Sequence, residues 1–421
     1  MNCIACFIDN EHQKKLKEKC FEFERFEHKL SKYKQLFISG VDNLQSVSKC
    51  NCKYKNTDID YVEWTDSFLK ELKNSNNVIE NTFDELINIY KCYISENTKV
   101  AIDKIWLFLQ ENDLLSETEG GFSYSTIFYR ARIDDKTFDK NDINNFFHIP
   151  FTKRELIGNQ RFSISGQPML YLGKSIIGIE KELSTPIEKL AISAFIPFFK
   201  DFYSKKYFTI KNTLFNSIVK SLPGILKSGS KIDYYNCDLS PNYNSLKNDL
   251  QKSILSQILT FPVERKNTFM SEYVLPQMLT TALLENGYCG VAFPSTKDFS
   301  GLESYHKFSE FESNFAVFVK YSPKDSYDNE LLKTFLYFTF NGQEKLNYTT
   351  QDIFNKFDIV HKLNKKSKEN NFMIPLTNIK LHIEYLENST INGIKYFETL
   401  HGKIELEFCS KIAEFYIKMI K

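Results

Sequence analysis

Apolar residues in the first part of the chain recur at helical spacing. Ile79, Phe83, Leu86, Ile87 and Tyr90 fall on one stripe, and Ile102, Ile105, Trp106 and Leu109 on another, as expected for helices with one face in a core. Gly120-Gly121 breaks this pattern and marks the expected domain boundary. Beyond it the texture changes to short apolar runs between turns. Residues 125–132, 169–172, 290–293 and 335–340 have strand composition. Ile379, Leu381, Ile383 and Tyr385 alternate with polar residues and predict a half-buried strand. Thr185-Pro186-Ile187-Glu188 offers a capping hydroxyl, a proline at the first position and a glutamate three after the cap. That pattern predicts a helix running into the apolar stretch 190–199 and kinking or ending before Pro197. Residues 202–260 read as an insertion with mixed helix, and the lysine-rich stretch 362–371 as an exposed loop.

The expected class is therefore α+β, with a helical N-terminal domain over residues 1–119 and a mixed β core with flanking helices over 120–421. Length agrees, since 421 residues are enough for two or three units with real cores. Charge narrows the partners. Lys+Arg 54 against Asp+Glu 53 leaves no overall field to steer the chain to nucleic acid or a membrane surface, so any charged site is local. The longest apolar run falls short of the ~20 residues needed to cross a bilayer. The first residues lack a basic segment followed by an apolar one, so no secretory signal is expected. Nine scattered cysteines without an export signal favour reduced thiols and a cytoplasmic location.

Candidate chemistry lies in four short signatures. The first is Phe128-Tyr129-Arg130-Ala131-Arg132. The second is Asn159-Gln160-Arg161-Phe162-Ser163, continuing through Gly166 and Pro168 to Leu170-Tyr171-Leu172, with Glu180 and Glu182 beyond. The third is Tyr273-Val274-Leu275-Pro276-Gln277. The fourth runs from Gly287 to Phe293-Pro294-Ser295, and Asn314-Phe315-Ala316-Val317-Phe318 closes the set. Singly, each residue has a bland reading: a surface arginine, a core tyrosine, a turn serine. No phosphate-loop, Gly-x-Gly-x-x-Gly or His-Glu-x-x-His motif competes with them. His148 and His306 lie near the signatures, but a lone histidine is more often a satisfied structural residue, and neither is assigned a role.

In this order the signatures resemble the RES family, named for its arginine, glutamate and serine. The resemblance covers residues 128–318, with an insertion before Tyr273 and a C-terminal extension over 320–421. It implies an ADP-ribosyltransferase-like fold and an activity that destroys NAD, as several family toxins do. Carried over, the arginines are Arg130 and Arg161, the tyrosine is Tyr171, the serine is Ser295, and the glutamate is Glu182, eleven positions after Tyr171. Asn159-Gln160 stands where the family has glycine before the second arginine, and Phe162 where it has tryptophan.

The implied chemistry suits these residue types. Cleaving the nicotinamide–ribose bond builds an oxocarbenium-like charge on the sugar. A carboxylate at the ribose stabilises that charge, the expected role of Glu182. Guanidinium forks pair with pyrophosphate oxygens, the expected role of Arg130 and Arg161. Tyr171 and Tyr129 would stack on the nicotinamide or its ribose, and the Ser295 hydroxyl would bind a phosphate or the nicotinamide amide.

Cys3-x-x-Cys6 and Cys50-x-Cys52 are two close thiol pairs. Together they could form a four-sulfur structural zinc site, the alternative being inert reduced thiols. Longer RES proteins are similar in carrying an N-terminal Cys-x-x-Cys-Phe segment before a helical domain, here Cys3, Cys6 and Phe7. The leading expectation is an NAD-degrading toxin or defence effector working by hydrolysis or phosphorolysis. It would be restrained by an antitoxin or other regulatory partner, by the N-terminal domain or by homo-oligomer assembly. A protein-modifying ADP-ribosyltransferase and an inactive NAD-binding module are the alternatives.

Overall fold

A computed structural model describes residues 2–52, 55, 59–95, 97–115, 127–197, 205–215, 243–264, 268–297, 302–303, 313–340, 342, 346–366 and 373–420. The expected boundary at Gly120-Gly121 lies outside the described residues. The helices in chain order are α1 (Ile4–Phe7), α2 (Asn10–Glu18), α3 (Phe26–Asp42), α4 (Ile59–Lys73), α5 (Asn76–Ile94), α6 (Thr98–Glu111) and α7 (Ile176–Leu183). They continue with α8 (Tyr243–Leu259), α9 (Val274–Glu285), α10 (Asn329–Lys333), α11 (Thr350–Lys366), α12 (Met373–Glu387) and α13 (Leu400–Ile420). The strands are β1 (Phe128–Ile133), β2 (Met169–Gly173), β3 (Leu190–Pro197), β4 (Phe208–Thr209), β5 (Gly290–Pro294), β6 (Leu302–Glu303), β7 (Ser313–Phe318), β8 (Phe335–Phe340), β9 (Thr390–Ile391) and β10 (Ile394–Lys395). The protein is α+β.

The chain divides into two compact units. The first comprises Met1–Glu117, Asn159–Ile164 and Thr209–Gly287; the second holds the remainder. The first is therefore wider than the helical domain expected over 1–119, since it takes in α8, α9 and the short segment bearing Arg161. Its core follows the stripes seen in sequence. On α5, Ile79, Phe83, Leu86, Ile87 and Tyr90 are all buried, and on α6 Ile102, Ile105 and Leu109 are. Phe83 meets Tyr33 and Phe37 of α3, with ring centroids 5.5 and 5.7 Å apart. Such aromatic contacts add to the area they bury.

The second unit is built on a seven-stranded sheet ordered β4-β5-β7-β2-β1-β3-β8. β3 lies between β1 and β8 and is buried along its whole length. The helix expected from Thr185 is thus one 3-10 turn, Ile187–Lys189, that feeds this strand. A mostly apolar run, polar only at Ser193, suits a central strand covered on both faces, and that environment overrides the capping pattern. The strand expected from Ile379 to Tyr385 is helix α12, with Leu376, Ile379, Ile383 and Leu386 buried at helical spacing. The expected loop at 362–371 is helical as far as Lys366, where α11 ends.

Side chains alternate across the pleated strands, giving the sheet two cores. Phe128, Leu170, Leu172, Ala292, Phe315 and Val317 share one face with Phe146 and Phe147. Tyr129, Ile192, Ala194 and Ile196 share the other with Ile176 and Ile179 of α7 and with α11, α12 and α13. The C-terminal extension is thereby integral to the second unit, supplying the edge strand β8 and three of the helices on one face.

Candidate active site

Glu182 lies in the last turn of α7, a helix whose start is fixed by Ser175: its hydroxyl accepts the Gly178 N–H at 3.0 Å. Gly173, at the end of β2, explains why α7 sits so near the sheet. A Cβ there would meet Cγ2 of Ile179 at 2.5 Å, so only glycine permits this approach. Gly173 pairs with Asn314 of β7, which pairs with Phe293 of β5. One row across three strands thus leads from α7 to the end of β5.

At the end of that row, Ser295 Oγ donates to Glu182 Oε1 at 2.5 Å and Asn314 Nδ2 donates to the same oxygen at 2.7 Å. Ser295 Oγ in turn accepts the Lys297 N–H at 3.1 Å. Glu182, Ser295 and Asn314 are all half-buried. Among the described residues no hydrogen bond falls on Glu182 Oε2, which leaves that oxygen for a ligand hydroxyl. Tyr171 is half-buried on the same sheet face, its ring edge-on to Phe293 at 6.4 Å. Two donors pinning one carboxylate oxygen fix the other in direction, the preorganisation that stabilising a developing positive charge requires. No imidazole stands between Ser295 and Glu182, so the pair is not a Ser–His–acid nucleophile system.

Glu180 is engaged differently. Its Oε1 accepts the Ile187 N–H at 2.9 Å, and its Oε2 lies 2.8 Å from His401 Nε2 on α13. Burial pushes its pKa up, but the hydrogen bonds from His401 and Ile187 outweigh that and hold it below the ordinary value.

Within the second unit, Arg130 and Tyr129 do not join this cluster. Arg130 shares the sheet face of Phe128, opposite that of Glu182, and donates from Nη1 to the Tyr171 carbonyl at 3.2 Å. β1 and β2 share a single paired position, Tyr129↔Gly173, and this guanidinium adds a side-chain link between the two strands. Tyr129 is corrected from a ligand-stacking residue to a core residue. It is fully buried, and its hydroxyl donates to Glu405 Oε1 at 2.7 Å. Tyr396 Oη donates to Glu405 Oε2 at 2.6 Å, and His382 Nε2 lies 2.9 Å from Oε1. Burial raises the pKa of Glu405, yet these donors hold it below the ordinary carboxylate value.

Arg161 belongs to the first unit. Its Nη1 donates to the Leu259 carbonyl at 3.0 Å, and its guanidinium lies 4.8 Å from the Tyr273 ring centroid. Gln277 Nε2 donates to Asn159 Oδ1 at 2.8 Å and to the Gln160 carbonyl at 3.0 Å, while Thr280 Oγ1 donates to the Phe162 carbonyl at 3.1 Å. The start of α9 therefore holds the turn in which Asn159-Gln160 replaces glycine. Asn314 and Tyr273 had no role assigned from sequence. Asn314 becomes legible once its register with Gly173 and Phe293 is known.

In the first unit, the Cys3 and Cys52 sulfurs lie 3.8 Å apart, and the four thiols of Cys3, Cys6, Cys50 and Cys52 all lie within 4.8 Å of one another. A bridge between Cys3 and Gln45, with the Gln45 N–H donating to the Asn2 carbonyl at 3.0 Å, ties the first pair to the segment that precedes the second. A tetrahedron with metal–sulfur bonds of ~2.3 Å has edges of about 3.8 Å, so the cluster can hold a metal ion and its donor set suits zinc. Burial pushes the Cys3 thiol up to about 12, with the nearby Cys52 and Cys50 adding to the rise. Cys6 is raised for the same leading reason. At Cys50 burial acts upward too, but hydrogen bonds, first from the Cys3 backbone, bring it below the ordinary value.

The fold and site together define an α+β protein with a preorganised half-buried carboxylate on a helix beside its sheet and a separate four-thiol cluster. The chain is 47% identical over 60 residues to a Bacillus subtilis (strain 168) protein named "Putative toxin YopC". That match covers 14% of this chain and 13% of the relative. No family model and no solved structure matches the chain. Among the described residues, no helix is long and apolar enough to cross a membrane.

Proposed function

We propose that the protein is an NAD-degrading enzyme that cleaves the nicotinamide–ribose bond and acts as a toxin in the cytoplasm. The observation that carries this reading is the Glu182 carboxylate, pinned through Oε1 by Ser295 and Asn314, with no hydrogen bond on Oε2 among the described residues. The resemblance to the RES family and the short match to a toxin-named relative support it. In the proposed reaction the C1′–N bond breaks and its electron pair leaves with nicotinamide. Glu182 Oε2, bound to a ribose hydroxyl, stabilises the positive sugar. Water then adds to C1′ and loses a proton to give ADP-ribose; phosphate in its place would give the phosphorylated sugar. Tyr171 would form a wall for the nicotinamide or its ribose.

The reading rests on this cluster, since Arg130 faces the other side of the sheet. An enzyme that empties a cofactor pool must be restrained, so an antitoxin or similar regulatory partner is part of the proposal. The thiol cluster would hold a structural zinc ion with no part in the chemistry. Incubating the full chain with labelled NAD, with and without phosphate, tests the activity. Free nicotinamide from the wild type, with turnover reduced on the order of 100-fold or more in Glu182→Gln, is the expected outcome. Label transferred to protein would point to the ADP-ribosyltransferase alternative. NAD bound but never cleaved would leave a binding module.

A further inference from the structure

The second unit holds a cleft of about 390 Å³ on the sheet face opposite Glu182. That volume falls in the lower part of the ~300–1,000 Å³ range of small-molecule sites. All the residues of fixed charge that line it are cationic: Arg130, Arg132 and Lys153. Arg130 and Arg132 are two residues apart on β1 and so point to the same side. Burial, and then the positive charge of Arg132, brings the Arg130 guanidinium down to about 10, a repulsion that a bound anion would relieve. Arg132 is held in place, with Nη1 donating to the Asn145 carbonyl at 3.1 Å and its guanidinium 4.5 Å from the Phe138 ring centroid.

The nearby carboxylates are committed elsewhere. Asp142 accepts the Asn144 N–H at 3.0 Å; Asp328 accepts the Leu331 and Lys320 N–H groups at 3.0 and 2.8 Å. His148 also lines the cleft, but its Nε2 accepts the Asp328 N–H at 2.9 Å, so Nδ1 bears the proton and donates to the Ile149 carbonyl at 2.7 Å. Both nitrogens are thereby used in the neutral ring. The remaining wall is mixed: Asn144 and Asn145 are polar, while Phe147, Ile149, Pro150, Leu156 and Tyr327 give it an apolar and aromatic part, in which Tyr327 is half-buried and Leu156 is 62% exposed.

We propose that this cleft is a second ligand site, separate from Glu182, that binds a nucleoside monophosphate, with the phosphate at Arg132 and Lys153 and the base against Tyr327 and Leu156. Forked guanidinium donors match phosphate oxygens, and a flat aromatic base suits the apolar wall. The inference does not depend on NAD cleavage, which a turnover assay on the same samples reports independently. The test is titration calorimetry of the full chain with AMP and with inorganic phosphate. AMP is expected to bind more tightly than phosphate, at least ten-fold more weakly to Arg132→Ala, and not measurably to the double variant Arg132→Ala/Lys153→Ala. Affinity for AMP should be unchanged in Glu182→Gln, and excess NAD should not displace AMP from that variant. No AMP binding by wild type, or binding unaffected in the double variant, overturns the site. Equal affinities for AMP and phosphate overturn the ligand class, and displacement by NAD overturns the separateness. Unchanged thermal unfolding of the variants excludes misfolding as the cause of any loss.

Discussion

Glu182 and Glu180 share α7 but not its surroundings: one meets Ser295 and Asn314, the other His401 and the Ile187 N–H. The carboxyl of Glu180 is held below its unfolded value of 4.5. A carboxylate depressed on folding stabilises the native state above its unfolded value, and that contribution is lost as pH falls through the folded one. Glu180→Gln is therefore expected to lower stability by about 1–3 kcal/mol at pH 7, the cost of losing hydrogen bonds to a charged group. Its deficit against wild type should shrink below about pH 4, as read by urea denaturation at pH 7 and 3.5. Glu182→Gln, which also loses the charge that two donors serve, should cost a comparable ~1–3 kcal/mol but alone should lose the proposed turnover; equal loss of turnover in the two variants would undo the division of labour. The resemblance to the RES family, whose glutamate follows its tyrosine by eleven positions, singles out Glu182 in the sequence. Strand alternation puts Tyr129 and Arg130 on opposite faces, but nothing in the sequence shows that Tyr129 meets Glu405, because that partner lies 276 residues away.

At the scale of elements, the strands β1, β2, β5 and β8 are readable because each is a short apolar run between turns. β3 and α12 are not. A mostly apolar run fits a central strand or a buried helix equally well, and only the pairing of β3 with β1 and β8 decides between them. In α12 a short alternation coincides with helical spacing, and packing beside α11 and α13 selects the helix. Gly173 is an element-scale device, since it sets the distance between β2 and the helix that carries Glu182. Gly173→Ala is expected to cost ~1–3 kcal/mol through overpacking against Ile179. It should also lower the proposed turnover by shifting α7, although residue 173 makes no contact with substrate in this reading. Wild-type stability and turnover in Gly173→Ala would show that α7 does not depend on this close approach.

At the scale of the whole molecule, sequence order and compact units do not coincide. The chain leaves the first unit before β1, returns to it for Asn159–Ile164 and again for Thr209–Gly287. Such interleaving leaves no composition signal, because each excursion is only a segment whose partners are distant in sequence. The thiol cluster shows the same limit from the other side: two close pairs are visible in sequence, but their meeting within 4.8 Å is seen only in the fold. The site also makes its metal affinity a matter of proton competition. With the Cys3 thiol pushed up to about 12 by burial and its neighbours, that sulfur is protonated near neutral pH. Binding a divalent metal must displace its proton. Affinity for zinc is therefore expected to strengthen as pH rises from 6 to 8, with proton release seen by calorimetry in buffers of different ionisation enthalpy. Protein purified without chelator should carry about one zinc per chain, because four thiolates complete one tetrahedral site. A zinc-selective chelator should lower the thermal transition and added zinc should restore it, since metal binding to the native state is linked to folding. Cys6→Ser should bind zinc more weakly and lose most of that zinc-dependent stabilisation. Zinc-free protein with an unchanged transition would reduce the cluster to four packed thiols.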